Sequence, residues 1–136
     1  MQFDTKIAVV VRDDLETWQK LNITAFTTSG IAGTVDGILG QPYEDGSGNT
    51  YLPMFRQPVM VFSANREQMK TIYNRALQRQ VRFSLFTEEL FSTNNDDDNR
   101  AAVKVYQSTD LNIVGLAMWA EKKSVEKVLK GIPLHR

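Results

Sequence analysis

Lys6-Ile7-Ala8-Val9-Val10-Val11 is the segment that most restricts what this chain can become. Four of its five consecutive apolar residues are β-branched, so it favours extended backbone. A strand with one wet face alternates polar and apolar side chains. A strand covered on both faces is apolar throughout. The run therefore predicts a strand inside a sheet that carries helices on both sides. Arg12-Asp13-Asp14 ends it, and Asp14 is placed to cap a following helix.

That helix is expected from about Leu15 to Leu39, with Trp18, Leu21, Ala25, Ala32, Val35 and Leu39 on its buried face. Thr24, Thr27, Thr28, Ser29, Gly30 and Gly33 are small or poor helix formers, and such residues let a helix lie close against a sheet. Gly40 to Gln57 reads as an insert. Its Asp45-Gly46-Ser47-Gly48-Asn49 turn signal leads through Tyr51 and Leu52 into a hairpin. Val59 to Phe62 reads as a second buried strand. Asn65 with Gln68 makes a capping box for a helix whose Met69, Ile72, Tyr73, Ala76 and Leu77 face the core. Val81 to Phe86 alternates as a third strand, and Thr87 caps a short helical turn. Thr93 to Asn99 reads as an exposed loop, and Ala101 to Tyr106 suits strand or helix. Ile113 to Trp119 is the fourth strand, where Gly115 marks a bulge or a close backbone approach. The last helix turns Val125, Val128 and Leu129 inward and Lys122, Lys123, Lys127 and Lys130 outward, and stops at Gly131. Strands alternating with helices predict a single α/β domain over residues 1–136: a three-layer sandwich around a central mixed four-stranded sheet.

The 136 residues include no cysteine, which excludes disulfides, thiol nucleophiles and cysteine-held metals. Sixteen basic and sixteen acidic residues cancel, so nucleic acid is not an expected partner. The charge is uneven: residues 1–99 hold nine basic and thirteen acidic groups, and residues 100–136 hold seven and three. A solvated acidic loop and basic helix explain that split, and a basic face for a phosphorylated ligand is the alternative. No apolar run is long enough for a signal peptide or membrane span, so a cytoplasmic location without membrane attachment is expected. The Asp45 turn lacks calcium-loop spacing, and Gly30-Ile31-Ala32-Gly33 lies inside a helix pattern rather than between strand and helix. Neither a metal nor a cofactor is expected.

Three segments together resemble the type 2 peptidyl-tRNA hydrolases. The first is Lys6 to Leu15, an apolar strand ending in Arg-x-Asp-Leu. The second is Val81 to Ser92. The third is Val114-Gly115-Leu116-Ala117-Met118-Trp119 with Val125 to Val128 and Leu134 after it. Asp14-Leu15, Trp18-Gln19-Lys20-x-Asn22, the Thr-rich helix and the Gly115 strand more closely resemble an uncharacterised domain-of-unknown-function family related to those hydrolases. The resemblance implies their fold and a cleft between the start of the first helix and the turn after the third strand.

It also maps the hydrolases' lysine onto Asn22, with Lys20 nearby, their histidine near Ser29, their acidic residue onto Glu88 and their threonine onto Ser92. Two of these positions keep their chemical type and two do not. His135, the one histidine, sits beside the terminus and supports no catalytic triad. Trp18, Lys20, Asn22, Glu88 and Ser92 are therefore the candidate cleft, expected to bind a small molecule or a partner without hydrolase activity. Hydrolysis of peptidyl-tRNA or another acyl ester is the alternative, and a homodimer is the third class considered.

Overall fold

A computed structural model describes residues 2–136. The apolar run forms β1 (Thr5–Arg12), an inner strand whose Ile7 to Val10 are wholly buried. It pairs in parallel with β4 (Val59–Ala64) and antiparallel with β6 (Ile113–Glu121). β5 (Arg82–Thr87) closes the mixed four-stranded sheet in the order β4-β1-β6-β5. β4, expected to be fully buried, is an edge strand, partly buried at four of its six residues. The chain's end covers that edge: Val61 O accepts the His135 N–H at 2.8 Å, and the Ser63 N–H donates to Pro133 O at 3.1 Å.

Alternation along the strands divides the core. One face carries Ala8, Val10, Leu116 and Met118 under α2 (Arg66–Gln78) and α4 (Lys122–Val128). The other carries Ile7, Val9, Val11 and Val114 under α1 (Thr17–Thr34). The capping box of α2 forms as expected, with Asn65 and Gln68 exchanging two bonds of 2.8 Å. Met69, Ile72, Tyr73 and Ala76 are buried beneath it, whereas Leu77 is 46% exposed beyond the edge of the stripe. In α4, Val125, Val128 and Leu129 are buried, the lysines face out, and Gly131 takes the left-handed φ of 85° that ends the helix.

α1 departs from its expected face and length. Ile23, Thr27 and Ile31 point at the sheet, while Trp18 and Leu21 are 60% and 66% exposed. The cause is steric. A Cβ on Gly115 would lie 2.3 Å from Ile23 Cγ2, so Ile23 occupies the space a side chain there would need. One turn along, the Ser84 hydroxyl donates to Thr27 O at 2.6 Å, and Gly30 passes close over Ser84. The threonines return their hydroxyls to carbonyls four residues back, as Thr27 does to Ile23 O at 2.7 Å. A helix this close to a sheet is positioned by its small residues, not by its largest apolar ones. It stops at Thr34, before the left-handed Gly37. Asp14 does not cap it. Its cap is Glu16, whose N–H donates to Gln19 Oε1 at 2.9 Å, and Asp14 pairs instead with Arg12.

Gly115 also sits beside an irregularity: Phe86 pairs with Gly115, but Thr87 pairs with Ile113. The insert is a hairpin of β2 (Tyr43–Glu44) and β3 (Thr50–Tyr51). Asp45 accepts from the Ser47 and Asn49 backbones at 2.9 and 3.0 Å and from the Tyr51 hydroxyl at 2.7 Å. The Tyr51 bond, with the amide bonds behind it, lowers the Asp45 pKa to about 2. The segment Thr93 to Asn99, expected as loop, instead opens α3 (Asp96–Lys104). Asn95 caps it, accepting the Asp98 N–H at 2.8 Å, and three aspartates in the first turn suit the helix dipole. Thr87 precedes a 3-10 turn, Glu88–Ser92, but makes no side-chain cap; its hydroxyl is buried and unpartnered among the described residues.

Candidate functional site

Trp18, Asn22 and Phe26 stand one helical turn apart on the side of α1 that faces β5 and the 3-10 turn. That turn supplies Leu90 and Phe91, β5 supplies Phe86, and α3 closes the opposite wall with Asp96 and Asn99. The aromatic rings form a ladder. Trp18 meets Phe91 edge-on at 5.6 Å between centroids, Phe91 meets Phe86 at 4.9 Å, and Phe86 meets Phe26 at 6.0 Å. Beside it lies a recess of about 330 Å³, with Asn22, Asn94, Asn95 and Asn99 as its amides. The recess shares Phe26, Phe86, Leu90, Asp96 and Asn99 with a groove of about 590 Å³ that continues between α1 and α3 to Val103 and Lys104.

The five residues expected to converge separate into three places. Trp18 and Asn22 line the recess. Lys20 does not: two residues from each, it leaves the other side of α1, where Nζ lies 3.3 Å from His135 Nε2 at the β4 edge. Glu88 is exposed and outside the lining, its N–H donating to Asn112 O at 2.9 Å. Ser92 is exposed and outside it as well. Ser29, where the resemblance placed a histidine, lines the larger groove.

Phe26, Phe86, Phe91 and Asn99 were not singled out from the sequence. Trp18, Asn22 and Phe26 do share an i, i+4, i+8 spacing, and following Trp18 along that row would have reached Phe26. Asn99 had no such signal, because its stretch read as loop.

The one carboxylate lining the recess is Asp96, and it is ion-paired to Arg100, which also reaches Asp97. The Thr93 hydroxyl lies between Leu90 O and Asn99 Oδ1. The wall is thus aromatic rings and neutral amides, suited to stacking and to hydrogen bonds of both polarities.

A second crevice, of about 270 Å³, opens at the same end of the sheet on the α2 side, lined by Arg12, Arg66, Lys70, Asp110 and Asn112 among others. Its cations come from the chain's acidic first part, so the basic excess of residues 100–136 does not build it. Asp14 accepts from Arg12 Nε at 2.6 Å and lies 3.8 Å from Arg66. The bond from Arg12 is the main cause holding the Asp14 pKa below its ordinary value.

No helix among the described residues is long and apolar enough to cross a membrane. No curated protein matches the chain. A solved protein of unknown function from Agrobacterium tumefaciens is similar to it, with 44% identity and a TM-score of 0.96 over 99% of this chain and 100% of the other. The family model described as a protein of unknown function, DUF2000, matches residues 5–136. With nearly its whole length matched, this chain belongs to the DUF2000 family.

Proposed function

We propose that this protein is a binding domain that holds a flat, largely uncharged small molecule against the aromatic ladder of α1, β5 and the 3-10 turn, and that it is not a hydrolase. The observation that carries the reading is the lining beside Asn22. It offers four rings, the amides of Asn22 and Asn94 and the amide nitrogen of Asn99, since Asn95 is taken up by the α3 cap, and its one carboxylate is already paired to an arginine. Ester hydrolysis needs a base within hydrogen-bond reach of a water, and donors for the oxyanion. Glu88 and Ser92, the residues the hydrolase resemblance would use, lie outside this lining. The neighbouring groove of about 590 Å³ is within the size range of small-molecule sites, roughly 300–1,000 Å³. The relation to the type 2 peptidyl-tRNA hydrolases is part of this reading and rests on the order of the sequence motifs. It makes the protein a member of that wider group with a rebuilt cleft.

The test is a thermal-shift and fluorescence screen with planar heteroaromatic metabolites. A ligand should raise Tm, perturb Trp18 emission and bind at least tenfold more weakly to Trp18→Ala and Asn99→Ala. The same preparation should leave a model aminoacyl ester and peptidyl-tRNA uncleaved. Turnover above buffer that falls tenfold in Glu88→Ala would replace this reading with the hydrolase one.

A further inference from the structure

The crevice on the α2 side lies at a special place in the topology. β1 and β4 are parallel neighbours, yet the helices that follow them, α1 and α2, cover opposite faces of the sheet. Chain connections therefore part at the carboxyl ends of β1 and β4, where ligands of open α/β sheets characteristically sit. At this point the Asp13 N–H donates to Ala64 O at 2.8 Å, tying the two strand ends together.

The residues there are built for an anion. Arg12 is only 5% exposed. Its Nε is used by Asp14, but its two terminal nitrogens have no acceptor among the described residues, and the side chain lines the crevice. Neither terminal nitrogen is sealed from solvent, so the small exposed part of Arg12 opens onto the crevice, where an oxyanion can take the place of water. Arg66, the first residue of α2, approaches the same aspartate, and Lys70 follows one turn later. Three cations thus line the crevice with one carboxylate, Asp110, while Asp14, outside the lining, holds Arg12 Nε and lies near Arg66. Asn112 adds a polar group to the lining, although its side-chain nitrogen is 3.2 Å from the Glu89 carboxylate.

We propose that this crevice binds the oxyanion group, phosphate or carboxylate, of a small ligand, with the free edge of the Arg12 guanidinium as its fixed donor and Arg66 and Lys70 as its closing charges. Arginine suits the role because its planar fork matches two oxygens at once. The site is separate from the aromatic groove and independent of what that groove binds.

The test uses the full chain and two probes, inorganic phosphate and acetate, each titrated at constant ionic strength with chloride as the balancing ion. Amide shifts followed by NMR should saturate at Arg66, Lys70 and Asn112 for at least one probe, and that probe identifies the group. The double variant Arg66→Ala/Lys70→Ala, altered only at exposed side chains, should keep its fold and bind at least tenfold more weakly. Arg12→Lys retains the charge but loses the fork and should also weaken binding. Asn22→Ala should bind the anion unchanged, which separates this site from the groove. No saturable shift with either probe, or equal affinity in the double variant, overturns the proposal.

Discussion

The two faces of the sheet are built by different rules. Under α2 and α4 the core mixes aliphatic residues with Phe62, Tyr73 and Phe83, and the helices are amphipathic in the ordinary way, with large apolar residues in and lysines out. Under α1 the contact is made by Ile23, Thr27, Gly30 and Ile31 pressed onto Gly115 and Ser84, and the helix's tryptophan, Leu21 and Phe26 are left on the outside. The first face maximises buried area. The second gives up area for close approach, and its surplus aromatic residues become the wall of a groove. Large apolar residues on a helix therefore mark the core only where the helix stands far enough from its partner to need them.

Ile72→Ala, beneath α2, should cost about 2–5 kcal/mol in chemical denaturation, the transfer term plus a cavity. Gly115→Ala should cost about 1–3 kcal/mol, because its new methyl meets Ile23 from the other face. A double-mutant cycle with Ile23→Ala should show coupling between the two, and strict additivity would mean that the close contact does not set the position of α1. Asn65→Ala should cost about 1 kcal/mol through loss of the α2 capping box. Leu21→Ser, at a position that simple periodicity assigns to the core, should change stability by no more than about 0.5 kcal/mol; a loss near that of Ile72→Ala would restore the buried-stripe reading of α1.

The smallest effect belongs to the hairpin, outside both faces. Asp45 has a folded pKa of about 2 against an ordinary 3.8, so its contribution is present above the ordinary value and is lost as pH falls through about 2. Acid titration by NMR should disorder the Tyr51 ring before either core responds, and Asp45→Asn should remove that transition.

The candidate site was half legible for reasons that individual residues make clear. Asn22, like Glu88, comes from the hydrolase resemblance and Trp18 from its place beside it on α1, and the structure sets both Trp18 and Asn22 along the recess. Lys20 was grouped with them by sequence proximity, but side chains two apart on a helix point to different sides, and this one reaches His135. Glu88 was reached by resemblance, and the 3-10 turn presents Leu90 and Phe91 to the recess instead. Asn99 was hidden because a run of three aspartates reads as solvated loop until the Asn95 cap and the helix dipole are counted.

What the sequence determined by itself is whatever depends on local chemistry: a double-sided strand from Ile7 to Val11, the capping box at Asn65, the stop at Gly131, and the inward stripes of α2 and α4. Those follow from backbone preference and from period. What tertiary structure alone decided is which side of α1 meets the sheet, that β4 lies at an edge under the chain's end, and that Arg12 and Arg66 share one aspartate. These depend on distances between segments far apart in the chain, and no spacing within a segment encodes how closely a glycine at position 115 lets an isoleucine at position 23 approach.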